Sequence, residues 1–423
     1  MLEITYVRQY PEDVKKRLAV KHFAELHLVD ELLAIDETRR QTQKVLDDNL
    51  AKQNAIAKEI GDLFKQGKKA EADGKKMEVA QLKEDSKSLE VKLADAELDM
   101  RNILVRIPNL PSPQVPEGKT PEHSVVVKQV GDIPALAEWA LEHWDLAKKY
   151  DLFDLELGVK ITGAGFPVYK KQGAKLQRSL VSFFLDEAEK AGYVEVIPPH
   201  MVNEASAFAT GQLPDKEGQM YHITADGFYM IPTAEVPVTN IVRDEILEEK
   251  NMPAKFVAYS PCFRREAGSY GKDVRGLNRV HQFEKVEIVQ IAHPDKSYQV
   301  LDEMIAHVES LLQKLELPYR ILRLCGGDMS FSSALTYDFE VYSAAQKRWL
   351  EVSSVSNFET YQSNRLKTRF RDENKKTRLV HTLNGSALAL PRIVASLLEN
   401  HQTAFGVRIP AALQSYTGFS AIS

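Results

Sequence analysis

The sequence predicts an α+β protein: an N-terminal antiparallel α-helical coiled-coil arm, followed by a domain built on an antiparallel β-sheet flanked by helices. Three observations lead to it. Apolar residues recur at alternating spacings of three and four through the region from Leu32 to Ile103. A run of prolines then ends that pattern. Alternating, aromatic-rich segments broken by helical ones make up the rest.

Val79, Leu82, Ser86, Leu89, Leu93, Ala96, Met100 and Ile103 form the stronger seam of the coiled coil. Leu32, Ile35, Leu46, Ile56, Ile60 and Leu63 form a weaker one, with polar Arg39, Thr42, Asn49 and Gln53 between them. The weaker seam does not stand alone but pairs with the stronger. Glycines and polar residues in 61–69 and 73–76 mark the turn between an antiparallel pair of helices. Roughly 32 residues per limb at 1.5 Å each give an arm of about 50 Å, which must project from a domain. Its tip holds Lys65, Lys68, Lys69, Lys75 and Lys76 against Glu71 and Asp73. Charge alone leaves two readings there, a solvated hairpin end, which has the higher prior, and a lever that touches a polyanion. Pro108, Pro111, Pro113 and Pro116 then make a stiff linker. The expected layout is an arm domain at 1–108, a linker at 109–122 and a catalytic-type domain at 123–423.

A chain of 423 residues is long enough for two or three domains. Its 43% hydrophobic and 27% charged residues are ordinary for a soluble protein. No stretch approaches the ~20 apolar residues that span a bilayer, and the N-terminus lacks a secretory pattern. A membrane partner is therefore not expected, and the cytoplasm is the expected location. Two cysteines, Cys262 and Cys325, support neither a disulfide framework nor a Cys-rich zinc site. The net charge of −5 argues against binding nucleic acid through the whole surface, but a local basic footprint remains compatible with it.

The chemistry concentrates in Ala258-Tyr259-Ser260-Pro261-Cys262-Phe263-Arg264-Arg265-Glu266-Ala267-Gly268, which continues through a polar loop to residues 279–287. Strand alternation puts Arg264 and Glu266 on one face, and Phe283, Lys285 and Glu287 on one face of the returning strand. A guanidinium can hold a phosphate, a phenyl ring can stack on a base, and a carboxylate can accept from an exocyclic amine. That is a nucleotide site without a glycine-rich loop. The bland alternative is a sheet face with exposed ion pairs, disfavoured by how many groups converge.

This stretch, with Phe283 on its returning strand, resembles motif 2 of the class II aminoacyl-tRNA synthetases. Residues 381–392, from His381 to Pro391-Arg392, are similar to motif 3 in its seryl-tRNA synthetase form, although Ala387 and Pro391 depart from the general motif. Val196-Ile197-Pro198-Pro199-His200 resembles motif 1, which in the family sits at a dimer interface. Ile231-Pro232-Thr233-Ala234-Glu235 resembles the seryl family's Thr-x-Glu signature, with strand alternation again placing Thr233 and Glu235 together. Residues 349–357 match its ATP and metal strand. The order of arm, linker and motifs covers nearly the whole chain and is that of the bacterial-type seryl enzymes.

The resemblance implies a class II catalytic domain that activates L-serine with ATP and Mg²⁺, without zinc. It implies an α-phosphate ligand in Arg264, with Arg265 beside it, and an adenine site of Glu266, Val280 and Phe283. Arg392 is implied at the γ-phosphate, and Thr233, Ala234, Glu235, Glu287 and Ser386 around serine. Glu351 and Ser354 are implied at Mg²⁺, with Val352 and Ser353 beside the nucleotide. Positions 351 and 354 have opposite parity, so a bulge is needed to aim both inward. The implied partners are tRNA(Ser), tRNA(Sec) where it exists, and a second subunit across which the tRNA binds. His281 and His381 read as structural rather than catalytic. Two rivals are a paralogue that loads a carrier protein, disfavoured by the arm, and a dead tRNA-binding relative, disfavoured by the intact motifs.

Overall fold

A computed structural model of the chain describes residues 1–267 and 275–423. Gly268 and the polar loop after it, read above as part of motif 2, lie largely outside the described residues. The chain forms two compact units, one of Leu2–Ala19 and Phe23–Pro108, the other of Met1, Val20–His22 and Asn109–Ser423.

In the smaller unit two short helices, α1 (Ile4–Gln9) and α2 (Pro11–Val20), precede two long ones, α3 (His27–Lys65) and α4 (Lys69–Leu104). The 39 residues of α3 span about 58 Å. The residues of the stronger seam are the least exposed of their turns on α4, and Leu32, Leu46 and Ile56 are buried on α3. Gln53 shows why polar seam residues are tolerated: its Nε2 donates to Ser86 Oγ at 2.8 Å and to Leu82 O at 3.1 Å. A cross-helix pair of that kind fixes register at some cost in stability.

The turn is shorter than the sequence suggests. Only Gln66-Gly67-Lys68 separates the helices, and Gly67 takes φ +74°, a conformation that favours glycine. Gly61, Gly74, Lys75 and Lys76 all lie inside helices, because pairing along the seam outweighs the ~1 kcal/mol that a helical glycine costs. The tip is also less cationic than it reads. Lys65 pairs with Asp62, Lys68 with Glu71, Lys75 with Glu59 and Lys76 with Asp73, at 2.8–3.6 Å. Helical spacing brings in Asp62, and the facing helix brings in Glu59, both outside the turn. These pairs are exposed and weak, so they compete poorly with a polyanion.

The larger unit is built on one eight-stranded sheet. Its strands are β1 (Val125–Val130), β2 (Val194–Glu195), β3 (Ala254–Phe263), β4 (Gln282–Ala292), β5 (Tyr319–Arg323), β6 (Leu335–Ser343), β7 (Arg348–Asn357) and β8 (His381–Ala389). The spatial order is β1-β5-β6-β7-β8-β4-β3-β2, antiparallel throughout except for the parallel edge pair β2–β3. Helices α5 (Lys171–Lys190), α7 (Ser297–Lys314) and α8 (Leu390–Asn400) pack on the sheet, while short α6 (Glu235–Thr239) belongs to a separate small core.

Strand alternation sorts the two faces of β4. Val286 and Ile288 join the large helix-covered core with Phe184, Met304 and Ile393. Phe283, Lys285 and Glu287 point the other way, into a cavity, and beyond them Val289 and Ile291 join the small core. The cavity is thus on the sheet face opposite α5, α7 and α8, beside the small core.

The proline-rich stretch is not a free spacer. Asn109, Leu110 and Ser112 are buried in the larger unit, and the Asn109 and Ser112 amides donate to Phe331 O and Ala334 O at 2.9 and 2.7 Å. Proline-rich chain is extended, and an extended chain offers its remaining amides to a neighbour. Among the described residues no helix is long and apolar enough to cross a membrane.

Candidate active site

One cavity of about 740 Å³ gathers most of the residues singled out in the sequence. Thr233, Glu235, Arg264, Glu266, Val280, Phe283, Glu287, Glu351, Val352, Ser353, Ser354, Ser386 and Arg392 all line it. A cavity of this size suits a small-molecule ligand.

Two expected members lie elsewhere. The Ala234 methyl is fully buried in the small core with Val238, Ala258 and Val289, because the turn into α6 rotates it away. Arg265 does not line the cavity; its amide donates to Gln219 O at 2.9 Å, and its guanidinium lies near Gly218.

Strand parity is also the wrong reason for two of the pairs. β3 ends at Phe263, so Arg264 and Glu266 lie beyond it, and Glu266 takes φ +49°. Thr233 and Glu235 are not on a strand; Glu235 is the first residue of α6, and its amide donates to Thr233 Oγ1 at 3.2 Å. A threonine hydroxyl turning the chain into a helix puts both side chains in the cavity without alternation.

The parity conflict between Glu351 and Ser354 has a local solution. Opposite β7, Phe339 pairs with Ser353 but Glu340 pairs with Glu351, so Val352 is an extra residue in the ladder. That bulge aims Glu351 and Ser354 at the same cavity. Across β4–β8, Glu287 is opposite Ser386, and Ser353 Oγ donates to Ser386 O at 2.6 Å. Close approach favours glycine at 385, since a Cβ there would lie 3.0 Å from a Val355 methyl, which would have to give way.

At one end of the cavity the groups are acidic and buried. Lys285 Nζ stands 2.5 Å from Glu287 Oε2, an ion contact that leaves this oxygen without an aligned hydrogen bond. Glu235 accepts from Gln362 Nε2 at 2.6 Å, and Gln362 Oε1 in turn accepts from Thr382 Oγ1 at 2.7 Å. Burial, then the neighbouring Glu287 charge, push the Glu235 carboxyl up to about 7 from its ordinary 4.5. Folding therefore binds a proton here between about pH 4.5 and 7, so stability falls as pH rises through that window. Glu235→Gln removes this contribution: urea denaturation at pH 5 and pH 7.5 is expected to show a smaller loss of stability on raising the pH than in the parent chain. An unchanged difference would refute the assignment.

The other groups hold a second end of the cavity. Arg264 lies over the Phe283 ring, 5.2 Å from its centroid, and its Nε donates to Pro232 O at 3.3 Å. Arg279 donates to Glu266 Oε2 at 2.9 Å. Arg392, in the first turn of α8 after Pro391, donates to Asn278 O at 2.9 Å and Glu351 O at 2.6 Å. Proline is tolerated at that position because no partner is needed for its missing N–H.

Sequence reasoning missed Asp338, Asp328 and Asn278, which also line the cavity. Asp338 is opposite Ser354 on β6, its Oδ1 is buried without a hydrogen-bond partner, and its pKa is raised by burial and by Glu351. No sequence signal gives the register of β6 against β7. His281 and His381 stand outside the cavity lining. His281 Nδ1 lies 3.0 Å from Arg264 O, and His381 Nδ1 2.7 Å from Ser297 Oγ.

Residues 1–111 match the family model described as the seryl-tRNA synthetase N-terminal domain. Residues 221–401 match the class II tRNA synthetase core domain for G, H, P, S and T. The chain is 50% identical over 424 residues to a serine–tRNA ligase of Salinibacter ruber, covering 100% of this chain and 99% of that one. Its fold is similar to the seryl-tRNA synthetase of Pyrococcus horikoshii complexed with ATP, with TM-score 0.93, 34% identity and coverage of 100% and 99%. It is also similar to the cytoplasmic serine–tRNA ligase of Naegleria fowleri in complex with AMP, with TM-score 0.89, 27% identity and the same coverage.

Proposed function

The chain belongs to the seryl-tRNA synthetase family, and from that premise we propose that it activates L-serine with ATP and transfers the seryl group to tRNA(Ser), and to tRNA(Sec) where that tRNA occurs. The observation that carries this reading is one cavity with a small, buried polar end and an aromatic, arginine-rich end. Thr233, Glu235, Glu287 and Ser386 suit an ammonium and a small hydroxyl and offer little to an apolar side chain. Amino-acid-dependent pyrophosphate exchange across the twenty amino acids tests it. Exchange driven by a residue other than serine would sink the assignment.

The first step needs no protein nucleophile. A serine carboxylate oxygen attacks the α-phosphorus of ATP, the bond to the β-phosphate breaks, and pyrophosphate leaves with its electron pair. Arg264 holds the α-phosphate and offsets charge at the crowded phosphorus, while Arg392 steadies the leaving group. Glu266 accepts from the adenine amine, with Val280 at the ring edge. In the second step a terminal ribose hydroxyl of the tRNA attacks the seryl carbonyl and AMP leaves. Positioning supplies much of the rate.

Mg²⁺, when bound, neutralises phosphate charge. Glu351 and Ser354 are the residues that would hold it, and the unpartnered Asp338 oxygen beside Ser354 fits a hard, oxygen-seeking cation. Among the described residues no group of three or more His, Cys, Asp or Glu is placed to hold a metal by itself. Mg²⁺ typically uses one or two carboxylates together with substrate phosphates, so the two observations agree.

Phe283 is the adenine plate in this reading, with the Arg264 guanidinium 5.2 Å from its centroid. In Phe283→Ala the KM for ATP is expected to rise by about 5- to 150-fold, the equivalent of the ~1–3 kcal/mol that stacking on a base supplies. Serine binding without ATP should barely change. An unaltered KM for ATP would show that the ring packs rather than stacks.

A homodimer in the cytoplasm completes the proposal. In and next to the motif 1 segment, Ile197, Val194 of the sheet-edge strand β2 and Met201 expose 86%, 60% and 50% of their surface. Three apolar side chains at an open edge suit a second copy. A sedimentation measurement giving the monomer mass would refute it.

A further inference from the structure

The loop 328–334, between β5 and β6, lines the cavity with Asp328, Ser330 and Ser332. It has no regular structure of its own, yet the backbone carbonyls from Ser330 to Ala334 are all engaged. Lys21 Nζ donates to Ser330 O at 2.8 Å, Phe331 O at 3.3 Å and Ser333 O at 2.7 Å. Three acceptors match the three N–H bonds of an ammonium. From the other side the Asn109 amide donates to Phe331 O at 2.9 Å, and its side-chain Nδ2 to Ser332 O at 2.9 Å and Phe358 O at 2.8 Å. The Ser112 amide takes Ala334 O. Both clamps belong to the larger unit, although they are remote from the loop in sequence.

Asp328 is the one carboxylate that the loop brings to the cavity lining. Asp338 feels the charge of Glu351 most, then those of Asp328 and Glu340. Asp328 therefore stands with the carboxylates assigned to the phosphate end. Burial lowers the Lys21 pKa to about 7, while three carbonyl acceptors favour the ammonium, since a neutral amine has only two N–H bonds to give. Small misplacement of a positioning group is amplified in rate or affinity.

We infer that Lys21, seconded by Asn109, is a positioning residue for ATP: it fixes the Asp328–Ala334 loop so that Asp328 keeps its place beside Asp338 and Glu351. The inference rests on the seryl-activation reading above. Lys21→Met keeps the apolar stem and removes the three donors. In the full-length enzyme it is expected to raise the KM for ATP roughly tenfold in serine-dependent pyrophosphate exchange, with the KM for serine changed less than twofold. Aminoethylation of Lys21→Cys, which rebuilds a near-lysine side chain, should restore the ATP value; Cys262 and Cys325 are both buried. Asn109→Ala, which frees Ser332 O, should show the same asymmetry and serves if Lys21→Met does not fold. An unchanged KM for ATP, or an equal rise for both substrates, overturns the inference and leaves Lys21 a structural staple. Absence of serine-dependent exchange in the parent enzyme would instead overturn the functional reading itself.

Discussion

Glu287→Ala is expected to lower kcat/KM for serine by roughly a thousandfold while the protein stays folded. Glu287 is almost fully buried on β4, opposite Ser386, with Lys285 2.5 Å away and Glu235 close enough to raise its own pKa through it. Removing one member of a buried charge pair costs about 3–5 kcal/mol, because the other is left uncompensated. The substrate's ammonium would then meet Lys285 with less negative charge to offset it. Discrimination should change unevenly. Alanine lacks the hydroxyl and leaves buried acceptors unpaired in the parent enzyme, a filter worth about 10⁴-fold or more. Threonine keeps the hydroxyl and is excluded by volume, worth ~1–3 kcal/mol per methylene. Glu287→Ala therefore erodes discrimination against alanine more than against threonine. Exchange assays with the three amino acids on both proteins decide it, and full serine activation in the mutant would remove Glu287 from the pocket.

Replacing residues 36–100 by a short linker is expected to abolish transfer to tRNA while serine-dependent exchange stays within about threefold of the parent. The replaced residues all lie in the smaller unit, and every residue assigned to activation lies in the larger one. Lys65, Lys75 and Lys76 of the tip make exposed ion pairs, which phosphates displace readily. Loss of both activities together in a folded protein would make the arm structural and end the lever argument. Loss of neither would show that tRNA is held elsewhere.

The sequence by itself determined the elements whose pattern is local. The seam from Val79 to Ile103 needs only the 3.6-residue period, and the same residues are the least exposed on α4. Phe283, Lys285 and Glu287 share a face because side chains alternate along a strand, and all three reach the cavity. Motif spacing located the loop around Arg264 and the helix start at Arg392. Only the tertiary structure decided the rest, for reasons of register and backbone direction. Thr233 and Glu235 meet through a turn entering a helix rather than through alternation, and the same turn buries Ala234. Glu351 and Ser354 converge only because Val352 is bulged against β6, and Asp338 joins them only through that register. Lys21 and Asn109 reach one loop more than two hundred positions away. A residue's own neighbours fix its local conformation, but which distant strand or loop it meets depends on how the whole sheet is paired, and no local period encodes that.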